Sequence, residues 1–597
     1  MGRTAAIDAG ALTRSALGIQ DEISSGRVMS RALAASWKDG AHLSLARAFG
    51  IRMVSAWWNA IAGGDAIRSI WAPFDTADLQ PAVEALADSL GETVAKLVDV
   101  EAAAYEIGLI YTGMLPIDHR SLHGIYYTPP ALTARLIHLA SQAGVDWSTA
   151  RCLDPTSGGG AFLTPIAQTI AKALAHCDPR IIVENVGNRI RGYELDPFGG
   201  WLAQVTLDAA MLPITRAAGA RLPVVVTVCD SLRRNPPRDR FDLVIGNPPY
   251  GRVKLSPADR ARFKRSLYGH SNLYGLFTDM ALRHTKVGGV IAFVTPTSFL
   301  AGEYYKNLRA LLAKEAPPHA MDFVSVRKGV FDEVLQETLL ATYCRGGKPG
   351  KIAVTELHPV DTNAVTLKAA GTVPLPGSSF EPWLLPRSAA QAPLVRRMGK
   401  MEARLADWGY QVSTGPLVWN RHKDQLVEKP GKGRHPLIWA ESITADGRFD
   451  FRADRRGHVP YFQYRPGDGW LITDTACVLL QRTTAKEQQR RLIGAAIPEA
   501  FIRKHGSVVV ENHINMVRPI DGEPAVDAKV LAAFLNSSAA DRAFRCVSGS
   551  VAVSAFELES LPLPTVAALA PLTKLVNAGA DKVDIERTCD QLYGPKR

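Results

Sequence analysis

Short apolar runs alternate with longer amphipathic segments from Arg151 to about Leu357. Arg151–Asp154, Ile190–Glu194, Pro223–Val228, Phe241–Ile245 and Val290–Thr295 are the strand candidates, and helix-length stretches separate them. Such alternation is the signature of repeated strand and helix units around a mostly parallel sheet, an α/β Rossmann-like architecture. At 597 residues the chain is several times longer than one core needs, and a prior of about three or four domains follows. Residues 1 to 120 are rich in Ala and Leu, with helical stretches such as Met29–Ile51 and Pro81–Glu106. They predict a helical N-terminal domain. A Pro, Gly and Ser cluster at Val373–Ser379 predicts a linker, and Trp383–Arg597 shows the broken strands and turns of a mixed α+β domain. The expected division is 1–120, 121–370 and 380–597.

Composition narrows the function classes. A hydrophobic fraction of 47% and a charged fraction of 21% exclude wholesale disorder and fibrous repeats. Sixty-nine Lys and Arg against 58 Asp and Glu leave a net charge of +11, which favours an anionic partner such as nucleic acid. The seven cysteines are scattered and include no CxxC pair of the kind that holds zinc, so no metal is expected and a reducing compartment fits best. Neither a signal-peptide core nor an apolar run of about 18 residues is present, and a soluble cytoplasmic protein is expected.

Chemistry concentrates at the strand ends. Asp154-Pro155-Thr156-Ser157-Gly158-Gly159-Gly160-Ala161-Phe162 follows the first strand and precedes an amphipathic helix beginning near Ala161. Glycine lets a backbone approach a ligand closely, and a helix N-terminus turns free NH groups towards negative charge. The second strand ends on Glu194, where a carboxylate can accept both ribose hydroxyls. The third ends in Cys229-Asp230-Ser231, which puts another carboxylate where an adenine amino group could donate. In register after the glycine turn, these acidic residues form an adenosine-binding edge.

The fourth strand ends in Asn247-Pro248-Pro249-Tyr250. Two prolines stop the strand and contribute carbonyls without NH groups. The Asn247 amide oxygen and the Pro248 carbonyl can then accept both hydrogens of one planar NH2 group. An exocyclic amine is a poor nucleophile because its lone pair is delocalised into the ring. Two acceptors draw its hydrogens out of plane and localise that pair for in-line attack on a methyl sulfonium.

These motifs resemble S-adenosylmethionine-dependent amino-methyltransferases, and specifically the gamma-class, TaqI-like DNA adenine-N6 methyltransferases of restriction-modification systems. Gly124-Ile125-Tyr126-Tyr127-Thr128-Pro129-Pro130 resembles the family's methionine-binding segment and precedes the Asp154 turn, as the class order requires. Asn272–Phe277, Gly288–Pro296 and Val330-Phe331 before Glu337–Tyr343 resemble the segments that follow the Asn-Pro-Pro-Tyr motif. The resemblance implies S-adenosyl-L-methionine held by Tyr127, Thr128, Asp154, Thr156, Gly158, Gly160, Glu194, Asp230 and Ser231. It also implies a flipped-out adenine gripped by Asn247, Pro248, Pro249 and Tyr250, with Phe331 on the other face of the ring. The implied partner is double-stranded DNA, bound by a monomer with a cognate restriction endonuclease acting separately.

The C-terminal region offers Val418–Lys423 and Gln481–Lys486, which combine cationic, amide and aromatic groups suited to phosphates and base edges. The region faintly resembles the target-recognition domains of restriction-modification proteins. The alternatives are an amino-methyltransferase of RNA or of protein glutamine, and a DNA-binding regulator without catalysis. No PD...ExK arrangement in residues 1 to 120 supports a fused nuclease.

Overall fold

Double-sided burial organises the centre of the chain. Strands β1 (Cys152–Asp154), β4 (Phe241–Gly246), β5 (Thr285–Pro296) and β7 (Thr338–Cys344) bury almost every residue along their sheet-forming lengths. Strands so apolar must be covered on both faces. With β2 (Ile190–Glu194), β3 (Val226–Val228), β6 (Pro318–Val324), β8 (Lys351–Pro359) and β9 (Val365–Pro374) they form a nine-stranded sheet in the order β9-β8-β6-β7-β5-β4-β1-β2-β3. Strands β5, β4, β1, β2 and β3 are parallel neighbours, whereas β7 runs antiparallel between β5 and β6. This is the expected Rossmann-like sheet, with its seventh strand reversed.

The computed structural model describes residues 14–97, 99–116, 118–120, 127–325, 337–375, 380–483, 490–548 and 552–594. The chain divides into two units, Met1–Pro296 with Asn307–Pro374, and Thr297–Lys306 with Leu375–Arg597. In the first unit, helices α1 (Arg14–Ala35), α2 (Asp39–Ala62), α3 (Pro81–Ala95) and α4 (Val100–Met114) precede the sheet. Helices α5 (Pro130–Gln142), α6 (Leu163–Ala173), α7 (Pro179–Arg189) and α8 (Pro197–Ala218) accompany its first strands.

The longest of these later helices, α8, serves two cores. Ala203, Leu207 and Met211 pack with the sheet, while Phe198, Trp201, Leu202 and Val205 pack with α1 to α4. A helix apolar on all sides needs two partners. The helices expected as a separate domain at 1–120 therefore share a core with the sheet's own helix and lie in the same unit. The expected run Met29–Ile51 breaks between α1 and α2. Pro81–Glu106 breaks before α4, where the Asp99 side chain accepts the Glu101 NH and starts a new helix. Strand β9 continues through Pro374, so the expected linker begins later than its Pro and Gly content suggests, and 376–379 lie outside the described residues.

The second unit carries a four-stranded and a five-stranded sheet, followed by helices that include Ala528–Leu535, Ser538–Val547 and Lys582–Tyr593. Trp383, 1% exposed, donates its backbone NH to the Leu300 carbonyl at 2.7 Å and meets the Phe299 ring edge-on. Among the described residues no helix is long and apolar enough to cross a membrane.

Candidate active site

Strand β1 delivers Asp154 to a turn that only glycine can complete. Gly158 and Gly160 have φ of 50° and 91°, in the left-handed region. A Cβ on Gly159 would lie 2.5 Å from the Tyr127 ring, and one on Gly108 of α4 would lie 2.2 Å from the same ring. Tyr127 is thus wedged between a helix and the glycine turn, and burial pushes its phenol well above the ordinary range. Asp154 is 1% exposed; its Oδ1 accepts the Thr156 NH at 3.0 Å, and its Oδ2 has no partner among the described residues. Burial, opposed by the Thr156 NH, raises this carboxyl to about 8.

Glu194, at the tip of β2, is held by three backbone donors. Its Oε2 accepts the Gly158 NH at 2.7 Å, and its Oε1 accepts the NH groups of Leu195 and Asp196 at 2.9 and 3.0 Å. Burial raises this carboxyl and the three donors oppose the rise. Ser231 donates its hydroxyl to the Pro155 carbonyl at 2.6 Å, tying the end of β3 to the glycine turn. Asp230 is exposed; it caps the following turn through the Leu232 NH and pairs with Arg233 at 3.2 Å.

Asn247 follows β4 with its amide fixed at both ends. Its Nδ2 donates to Thr128 Oγ1 at 3.1 Å, and its Oδ1 accepts the Tyr250 hydroxyl at 2.9 Å. Tyr250 meets Tyr274 edge-on at 6.2 Å, and burial pushes its phenol up.

One cavity of about 390 Å³ joins these groups. Tyr127, Thr128, Thr156, Gly158, Glu194, Asp230, Ser231, Asn247 and Pro249 all line it. Asp154 and Gly160 stand behind its wall, and Pro248 and Tyr250 lie outside the lining, with Tyr250 reaching it through Asn247. Phe331 lies outside the described residues, as do Gly124 to Tyr126.

Sequence reasoning missed the apolar side of this cavity, formed by Leu232, Val253, Leu255, Phe263, Leu273 and Phe277. Leu273 and Phe277 are four apart on helix α9 (Leu273–His284), a spacing that puts both on one face and could have found them. It also missed Gly246, where a Cβ would lie 2.8 Å from Asp154 Oδ1 and 3.1 Å from Thr156 Oγ1. No local signal marks that glycine, because its neighbours come from β1. A small adjoining cavity shares Tyr127, Thr128, Gly159 and Ala161 and adds Glu101, whose carboxyl burial raises to about 7.

A reversed-seventh-strand α/β sheet thus brings a glycine cradle after β1 and Asn247 after β4 to one cavity. Comparison with known proteins gives the class. Residues 232–331 match the Eco57I restriction-modification methylase family. The chain is 26% identical over 348 residues to the type II methyltransferase M.PstI of Providencia stuartii, covering 57% of this chain and 68% of that one. It is 25% identical over 358 residues to the type II methyltransferase M.BsuBI of Bacillus subtilis, covering 58% and 71%. The type IIL restriction-modification enzyme MmeI, solved in complex with DNA, shares the fold at a TM-score of 0.53 and 12% identity, over 98% of this chain and 93% of that chain. Residues 232–331 thus match a restriction-modification methylase domain, the chain is similar to type II methyltransferases, and the protein is a methyltransferase.

Proposed function

We propose that this protein is a site-specific DNA adenine-N6 methyltransferase that uses S-adenosyl-L-methionine and serves as the modification enzyme of a restriction-modification system. One observation carries the reading: the Asn247 amide lines the same cavity as the glycine turn, Glu194 and Ser231. An acceptor for an amine and a cradle for a nucleoside therefore face one space.

The residues present fit the cofactor. At Gly158 a Cβ would meet nothing within 4 Å, so the glycine turn borders open space, Glu194 offers an oriented carboxylate for ribose hydroxyls, and Asp154 Oδ2 is a buried polar atom without a partner among the described residues. Tyr127, Thr128, Asp154, Thr156, Gly158 and Gly160 would hold the methionine end, with Asp230 and Ser231 at the adenine. When bound, the cofactor supplies an electrophilic methyl group on a sulfonium.

The chain's own residues would prepare the nucleophile. Thr128 holds the Asn247 Nδ2 and the Tyr250 hydroxyl uses one lone pair of Oδ1, which leaves the second lone pair of that oxygen as an acceptor. That oxygen and the Pro248 carbonyl take the two amine hydrogens, and neither is basic enough to remove one. The amine thus attacks with both protons in place and loses one to water afterwards. Pro249 and Tyr250 stiffen the strand end that carries these acceptors. Inside a duplex an adenine amine is paired and stacked, so the base must leave the helix to reach the cavity.

The basic excess suits a duplex partner, and the second unit would read the neighbouring bases. There Lys423 sits 5.6 Å over the Trp419 ring, and Arg421 is exposed. Gln481 instead spends its amide on the Ala440 and Ile443 carbonyls and is structural. Expression in a methylation-free host, followed by sequencing with modified-base detection, tests the proposal. The expected result is N6-methyladenine at one recurrent sequence, absent with an Asn247→Ala control. Methylated cytosine, or methyl transfer by the purified protein to RNA or protein but not to DNA, would overturn it.

A further inference from the structure

The segment that presents Glu194 is gripped from outside the sheet. Arg47, near the middle of α2, pairs with Asp196 through Nη2 and Oδ1 at 2.6 Å, and the two side chains are only 12% and 13% exposed. Asp196 uses its other oxygen to cap α8 at the Gly199 NH, 3.2 Å away. Its own NH is one of the donors that hold Glu194 Oε1, while Glu194 Oε2 holds the Gly158 NH of the glycine turn. An uninterrupted series of bonds therefore runs from α2 to the floor of the cavity.

The grip is reinforced by packing. A Cβ on Gly50, three residues after Arg47, would lie 2.6 Å from the Phe198 ring, and the Tyr111 ring of α4 sits 4.1 Å from that same ring. Two further ion pairs tie the N-terminal helical segment to α8 without touching the Glu194 segment: Arg68 with Asp208 at 2.7 Å, and Asp65 with Arg216 at 2.8 Å. Of the three, only the Arg47 pair adjoins the cavity wall.

We propose that Arg47 is a positioning residue for cofactor binding, and that α2 belongs functionally to the cofactor site. Pairing with Arg47 fixes the Asp196 carboxylate and the backbone of 194–196, and so the direction in which the Glu194 carboxylate points. This rests on the reading of Glu194 as a cofactor ligand. Because the pair is mostly shielded from solvent, salt screens it little, and its loss is felt where the carboxylate must be aimed.

Calorimetry with S-adenosyl-L-methionine on the full chain tests this, with methylation kinetics alongside. Arg47→Met should weaken cofactor binding and raise the cofactor KM by about tenfold, with kcat at saturating cofactor unchanged, as expected for lost preorganisation of one charged contact. Arg47→Lys should recover part of the loss. Arg68→Met removes an equally shielded pair and should lower the melting temperature while leaving cofactor affinity unchanged. Should Met at position 47 prevent folding, Asp196→Asn carries the same test, because its amide oxygen still caps Gly199. Glu194→Gln separates the two ideas. If it loses affinity while Arg47→Met and Asp196→Asn bind as the wild type does, the positioning role is overturned and the ligand role stands. If it binds normally, the reading of Glu194 itself has failed.

Discussion

Asn247 has both ends of its amide committed before any substrate arrives, to Thr128 on one side and Tyr250 on the other. Removing the amide should therefore harm chemistry far more than binding. Asn247→Ala is expected to slow methyl transfer by about 100-fold or more, on the order of 3 kcal/mol at the transition state, with cofactor affinity by calorimetry within twofold of wild type. Near wild-type turnover would remove Asn247 from its role. Asp154 gives a pH signature. Its folded carboxyl is raised to about 8, above the ordinary carboxylate value near 4, so the folded state holds a proton that the unfolded state has released. That contribution is present at low pH and fades as pH rises through 8. Without cofactor, Asp154→Asn should thus gain melting temperature relative to wild type between pH 5 and pH 9, and a constant difference would contradict the assignment. The placement of Asp154, Glu194 and Asn247 around one site was legible in sequence because each stands at, or directly after, the end of a strand. Gly246 and Gly108 were not, since the atoms that forbid a side chain there, on Asp154 and Tyr127, are remote in the chain.

Tyr127 links helix α4 to the glycine turn as a spacer of fixed thickness. Gly108→Ala would set a methyl group 2.2 Å from its ring and push it against Gly159. Overpacking of this kind costs about 1–3 kcal/mol, so the variant should melt several degrees lower and bind cofactor more weakly. Gly113→Ala in the same helix meets nothing nearer than Arg31 Nε at 3.7 Å and should be neutral or mildly stabilising. Equal behaviour of the two in thermal unfolding would show that the spacer has slack. Strands β1, β2 and β4 could be read within a residue or so, because the residues that close them, Asp154, Glu194 and the turn Asn247-Pro248-Pro249, stand out in the sequence. The helical breaks were harder. The interruption before α4 rests on the single Asp99 cap inside a pattern that otherwise reads as continuous.

At the scale of the molecule, the N-terminal helices looked independent because their own apolar faces are legible, whereas the outer face of α8 that completes their core is not obviously outward-facing in sequence. The second unit was visible from its texture, but not its membership. Thr297–Lys306 belongs to it although both flanking stretches belong to the first unit. If the second unit selects the target sequence, a chimera receiving residues 297–306 together with 375–597 from a related methyltransferase should adopt the donor's site in modified-base sequencing. A chimera receiving 383–597 alone should be less soluble, since Phe299 and Leu300, each 2% exposed or less, would meet an unfamiliar Trp383 environment. A soluble first chimera that still marks the original site would place recognition elsewhere. The interleaving also bears on heredity. A gene whose target preference lay wholly downstream of the linker could acquire a new one by a single recombination there. This gene would need two tracts to travel together, so stepwise exchange would pass through misfitting hybrids, and new preferences should arise more readily by point changes within the second unit than by shuffling.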